Sequence, residues 1–169
     1  MESPSSHHSH KTVSLGFGVL TTTDSRTAGE DESGKVLKEL IEVEGHHVAR
    51  SGLCPNRVPE IQSVLRAWVA DPEVNVVISS GGTGFGPRDV TIDALEQMGG
   101  RKIDSFGERF RALSYEQVGV LALMSRSALY LVDRHPVFAL PGSPKACRLA
   151  VKDIILPFVP HLVGELEKP

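Results

Sequence analysis

The chain has 169 residues, enough for one domain with little left for a second, and its 40% hydrophobic, 23% charged composition is that of an ordinary globular protein. A net charge of −3 and a pI of about 6.2 exclude an overall electrostatic pull toward nucleic acid or anionic lipid. No apolar run reaches the length of a membrane span and no secretory leader is recognisable, so the expected location is cytoplasmic.

Residues 1–12 are rich in Ser and His and nearly devoid of apolar side chains. Such a segment cannot bury enough surface to offset its ordering entropy, so a mobile tail is expected there, followed by one domain over 13–169. His7, His8 and His10 receive no role. The apolar run 13–20 predicts a first strand, ended by the polar run Thr21-Thr22-Thr23-Asp24-Ser25-Arg26. Ser33 is the expected N-cap of a helix whose buried face carries Val36, Leu37, Leu40, Ile41 and Val43. Gly45 ends that helix, and 47–53 predicts a second strand. Val58, Ile61, Val64, Leu65, Trp68 and Val69 then recur at helical spacing, closed by Asp71-Pro72.

The richest segment follows. Val74, Val76, Val77 and Ile78 read as a buried parallel strand that runs straight into Ser79-Ser80-Gly81-Gly82-Thr83-Gly84-Phe85-Gly86-Pro87-Arg88-Asp89-Val90-Thr91. Glycines let a backbone turn sharply and present its N–H groups at close range, so a loop of this build suits a phosphorylated ligand. The loop lacks the Gly-Lys-Ser/Thr ending of a Walker P-loop and the glycine spacing of a dinucleotide fingerprint. A short helix is expected after Asp89, with Ala94 and Leu95 turned inward. A longer helix is expected over 106–118. Residues 128–132 and 137–140 read as a strand pair joined at Asp133-Arg134-His135-Pro136. Pro141-Gly142-Ser143-Pro144 opens a last helix with Ser143 as N-cap, and Pro157 and Pro160 are expected to end it.

Alternation of strands and helices predicts an α/β fold, a three-layer αβα sandwich around a mostly parallel, partly mixed sheet. Its expected core includes Leu37, Leu40, Ile41, Ile61, Leu65, Trp68, Val76 and Ile78. Parallel strands bring their carboxyl ends to one edge, where at least the loops at Thr21 and Ser79 are expected to converge on a glycine-rich cleft containing Asp24 and Asp89, while Pro141–Pro144 opens a helix whose N-terminus can hold an anion. That cleft suits a nucleotide or other phosphorylated ligand, with Mg²⁺ bridging a carboxylate and phosphate oxygens. Asp24 can equally serve its own turn, Ser33 and Ser143 can be plain caps, and Arg126 can be a surface ion pair. Neither a Ser-His-Asp set nor a zinc-type cluster can be composed, and Cys54 and Cys147 read as buried thiols.

Taken together, Asp24-Ser25-Arg26, Asp31-Glu32-Ser33-Gly34, Gly81-Gly82-Thr83-Gly84 with Pro87-Arg88-Asp89-Val90-Thr91, Ser125-Arg126 and Pro141-Gly142-Ser143 resemble the MoaB/MogA family of molybdenum-cofactor biosynthesis proteins, whose fold recurs in the G domain of gephyrin. Residues 106–116 look like the MoaB branch. The resemblance covers 13–162. It implies that molybdopterin attacks the α-phosphate of ATP, giving adenylylated molybdopterin and pyrophosphate with Mg²⁺ present. It also implies a catalytic, metal-holding carboxylate at Asp89 and a second catalytic position at residue 56. Asp24, Ser25, Arg26, Asp31, Ser33, Gly81, Gly82, Thr83, Gly84, Arg88, Thr91, Ser125, Arg126, Pro141, Gly142 and Ser143 are the substrate-binding positions that it implies. Adenylylating members carry Asp where this chain has Asn56, so a non-catalytic protein that binds molybdopterin or its adenylate is the competing expectation. The family resemblance further implies a homo-oligomer, trimer or hexamer, and a handover of product to a molybdenum-insertion protein.

Overall fold

A computed structural model describes residues 13–169, so the expectations for the tail and its histidines lie outside the described residues. Six strands form one sheet in the order β2-β1-β3-β6-β5-β4: β1 Gly16–Thr22, β2 His47–Cys54, β3 Val76–Ser80, β4 Arg101–Ile103, β5 Ala128–Val132 and β6 His135–Leu140. β2, β1, β3 and β6 are mutually parallel, whereas β5 runs antiparallel to both β6 and β4. The helices are α1 Glu32–Val43, α2 Val58–Val69, α3 Thr91–Gln97, α4 Asp104–Val118, α5 Pro144–Ala150 and α6 Leu156–Leu166.

Side chains alternate across the sheet and split the core into two layers. Phe17, Val19, Val76, Ile78, Phe138 and Leu140 face α1, α4, α5 and α6. Leu20, Val77, Val137, Ala139 and Tyr130 face α2 and α3. The three-layer sandwich around a mostly parallel, partly mixed sheet is therefore as the sequence predicts. β1 and β3 lie inside the sheet with every residue buried, which matches their continuous apolar character.

Several local expectations need correction. The first strand begins at Gly16, not at residue 13, and Val13 is exposed. Asp31, not Ser33, caps α1: its carboxylate accepts the Gly34 N–H at 2.9 Å, and a Cβ at Gly34 would meet Asp31 Oδ2 at 2.0 Å. Val43 faces solvent, while Val36, Leu40 and Trp68 are half-buried; Leu37, Ile41, Ile61, Leu65, Val76 and Ile78 are fully buried. The short strand β4 carries no period long enough to read from the sequence. Pro157 and Pro160 do not end the last helix. A π-helical turn at Val151–Ile155 leads into α6, where Pro157 falls at the first turn and needs no N–H partner.

The strand order creates the cleft. α1 leaves the end of β1 toward one face of the sheet and α3 leaves the end of β3 toward the other, so the two loops diverge and open a crevice at the carboxyl edge. The β6–α5 loop borders it: a Cβ on Gly142 would lie 3.5 Å from the Cα of Gly81.

Candidate active site

The floor of the cleft is a hydroxyl network where β1 and β3 end. Thr21 donates to Asp31 Oδ2 at 2.8 Å, Ser33 donates to Asp31 Oδ1 at 3.2 Å, and Ser80 Oγ lies 3.3 Å from Thr21 Oγ1 and 3.4 Å from Ser33 Oγ. All four residues are buried. Asp31 and Ser33 thus hold the base of the cleft together and do not open onto it. The sequence reading missed Thr21, Thr22 and Ser80, although hydroxyls closing two otherwise apolar strands are the signal that marks them.

Above that floor the glycine loop turns through two left-handed residues, Gly81 at φ +97° and Gly82 at φ +65°. A Cβ at Gly82 would meet Thr91 Oγ1 at 2.4 Å, Asn56 Oδ1 at 2.9 Å and Thr22 Oγ1 at 3.2 Å, so three oxygens converge on that bare backbone. Thr91 donates its hydroxyl to the Gly81 carbonyl at 2.9 Å and is wholly buried, which makes it a fastener of the loop. Asn56 Oδ1 is buried without a hydrogen-bond partner.

Asp89 stands two residues before α3 and does not cap it. Its Oδ2 accepts the Gly86 N–H at 2.8 Å, and its own N–H donates to the Gly86 carbonyl at 3.0 Å. The carboxylate folds over two glycines where side chains have no room: a Cβ would fall 2.6 Å from Asp89 Oδ2 at Gly84 and 2.9 Å at Gly86. Among the described residues Asp89 Oδ1 takes no hydrogen bond, which leaves one oxygen of a half-buried carboxylate for a cation or a donor.

Asp24 joins two other loops to this one. Its Oδ1 accepts the Asn56 backbone N–H at 2.9 Å, and its Oδ2 lies 3.9 Å from the guanidinium of exposed Arg88. Thr23 Oγ1 accepts the N–H groups of Ser25 and Arg26, shaping the turn that carries Asp24. Arg26 reaches across to the Gly142 carbonyl at 3.4 Å, and Ser143 caps α5 by accepting from the Ala146 N–H. Pro141 is half-buried, and its carbonyl accepts from the Cys147 thiol, which burial pushes up to about 12.

Ser125 and Arg126 support the loop from behind. Thr83 and Ser125 hydroxyls lie 3.2 Å apart, and the Arg126 N–H donates to the Thr83 carbonyl at 2.7 Å. The Arg126 guanidinium forks onto Asp93 and holds its carboxyl below the usual carboxylate range. Asp93 has no signal in the sequence because its partner lies on a distant loop. The structure therefore gathers Asp24, Ser25, Arg26, Asn56, Gly81 to Gly84, Arg88, Asp89, Gly142 and Ser143 around one crevice. Asp31, Ser33 and Thr91 form its foundation. The described residues contain no cluster of three or more metal-ligating side chains, so a cation here would depend on few protein oxygens and on the ligand's own.

The glycine loop and the Asp89 carboxylate lie at the switch point of a mostly parallel sheet, the place where α/β proteins bind their ligands. Residues 18–161 match the family described as "Probable molybdopterin binding domain", and the chain belongs to that family, in its MoaB/MogA group. It is 37% identical over 151 residues, 89% of each chain, to "Molybdenum cofactor biosynthesis protein B" of Bacillus subtilis. A crystal structure of a molybdenum cofactor biosynthesis protein B superposes with a TM-score of 0.89 at 37% identity, over 92% of this chain and 98% of the other. The tungsten cofactor synthesizing protein MoaB from Pyrococcus furiosus superposes at 0.82 and 31% identity, over 92% and 99%.

Proposed function

We propose that the protein acts in molybdenum or tungsten cofactor biosynthesis, binding molybdopterin and Mg-ATP in the crevice and transferring AMP to molybdopterin with release of pyrophosphate. The names of the relatives, the molybdopterin-binding family match and the glycine loop support the reading. The observation that carries it is Asp89, whose Oδ2 is held by the loop while Oδ1 takes no hydrogen bond among the described residues.

The residues fit the chemistry. Transfer of a phosphoryl-type group asks for positioning and charge neutralisation more than for a covalent nucleophile. Asp89 would hold Mg²⁺, which when bound neutralises phosphate charge. Arg88 and Arg26 would supply positive charge for phosphate oxygens. Asn56 brings a neutral amide oxygen that can accept from a donor on the ligand but cannot take up a proton as a base.

Asn56 also favours a second reading, a protein that binds molybdopterin or its adenylate and passes it to a molybdenum-insertion protein without catalysing transfer. Titrating the purified protein with molybdopterin, with and without Mg-ATP, tests what the two readings share. Saturable binding that Arg88→Ala weakens supports the site, and the absence of binding rules out both.

A further inference from the structure

Arg126 reaches farther into the glycine loop than any ligand-binding role would require. Its Nε donates to the Gly84 carbonyl at 3.1 Å and one terminal nitrogen donates to the Asp89 carbonyl at 2.6 Å, so one guanidinium ties both ends of the segment 84–89. The same group is aimed by a fork onto Asp93, at 3.0 and 3.4 Å, in the first turn of α3. Its backbone N–H adds a further tie to Thr83.

We infer that Arg126 is a positioning residue: held by Asp93, it locks the 84–89 loop in the shape that presents the Asp89 carboxylate to the crevice, and it does not itself bind substrate. This rests on the reading of Asp89 as the group that serves the transferred phosphate. Three features support it. Two loop carbonyls and a carboxylate take four of the five guanidinium N–H donors, which leaves no pair of them for bidentate phosphate binding. The ion pair is partly exposed, with side chains 30% and 42% accessible, a setting in which a pair adds little to global stability. The loop also has little else to hold it, because Phe85, Gly86, Pro87 and Arg88 are all exposed and Gly84 and Gly86 carry no side chain. Lysine has a single ammonium on a flexible stem and cannot span three acceptors at once.

Amide hydrogen exchange reads the lock at one group, the Gly86 N–H bonded to Asp89 Oδ2. Arg126→Gln and Arg126→Lys should speed its exchange tenfold or more, and Asp93→Asn by a smaller factor, with the amides of β1 and β3 unchanged. In the same variants the turnover number should fall tenfold or more while KM for ATP moves less than threefold. Unchanged Gly86 exchange in all three variants would overturn the inference. So would a faster exchange with undiminished turnover, or a selective loss of ATP affinity. A wild-type protein without transfer activity would sink the proposed reaction instead, and the exchange comparison would still report on the lock.

Discussion

The Asn56 backbone N–H is bonded to the Asp24 carboxylate at 2.9 Å, while the side-chain oxygen of Asn56 is buried with no partner. The same residue thus has its backbone N–H bonded and its side-chain oxygen unsatisfied. A buried acceptor without a donor costs about 1–3 kcal/mol, so a donor brought to this oxygen would recover that cost. The nearest carboxylate, Asp24, is already committed to Asn56 and, at 3.9 Å, to Arg88.

Asn56→Asp follows from that relationship. An unpaired carboxylate at this buried oxygen should lower stability by about 1–3 kcal/mol in the absence of ligand. Mg²⁺ with ATP should recover much of that loss, and AMP transfer should rise because the position gains a charge and a proton acceptor. Thermal melts with and without Mg-ATP, beside a transfer assay, check all three. A variant as stable as the wild type would show that Oδ1 is not confined.

Gly82→Ala should be far worse than Gly45→Ala. Both glycines sit at positive φ, +65° and +84°, and each substitution carries about 1–2 kcal/mol of left-handed strain. Only at Gly82 does a Cβ meet three oxygens, the nearest at 2.4 Å, whereas nothing lies within 4 Å of one at Gly45. Denaturant unfolding should place Gly82→Ala at least about 1 kcal/mol below Gly45→Ala. Equal losses would mean that the loop can move away from Thr91.

His46 should shape the acid limb of stability. Its ring is buried, accepts the Leu15 N–H at 3.2 Å and leans against Phe17, and burial lowers its pKa below the usual histidine value. The unfolded chain therefore takes up the proton first, so this contribution is complete above about pH 6.5 and is lost as pH falls through the folded pKa. His46→Gln, which cannot titrate, should show a smaller drop in melting temperature between pH 7.5 and 5.5. An identical drop would remove His46 from the account.

Self-association is expected through the end of α4. Tyr115, Val118, Val120, Leu121, Leu123 and Met124 are exposed together at the end of α4 and in the short 3-10 segment after it, an apolar patch of the kind that marks an interface. Light scattering at micromolar concentration should give a trimer or hexamer, and Leu121→Asp with Leu123→Asp should shift it to smaller species. A monomeric wild type would contradict this.

Much of the architecture is legible in the chain because the central strands β1 and β3 carry mostly apolar runs and α2 keeps its period over three turns. Trp68 shows the limit. Its spacing places it on the buried face of α2, but it lies half-exposed across the backbone of Gly18, where a Cβ would come within 2.7 Å of the ring. Periodicity gives the face and says nothing of the partner. The same holds at the site: the glycine run and Asp89 announce themselves locally, whereas Asp31 caps α1 while Thr21 of β1 donates to its carboxylate, and Ser33 turns to Asp31 and to Ser80 of β3. Asp93 and Arg126 belong together only in three dimensions. Pro160 misleads because a helix supported by packing tolerates a missing N–H inside it.

The most direct test is to incubate the protein with molybdopterin, ATP and Mg²⁺ and to measure pyrophosphate together with adenylylated molybdopterin. The account predicts equal amounts of both products, formed only when molybdopterin is present and abolished by EDTA. Asp89→Asn should slow their formation by a factor of roughly 10²–10³ with the fold intact, the usual loss when a group that stabilises transition-state charge is removed. Pyrophosphate release that ignores molybdopterin, or an Asp89→Asn variant as active as the wild type, would contradict it.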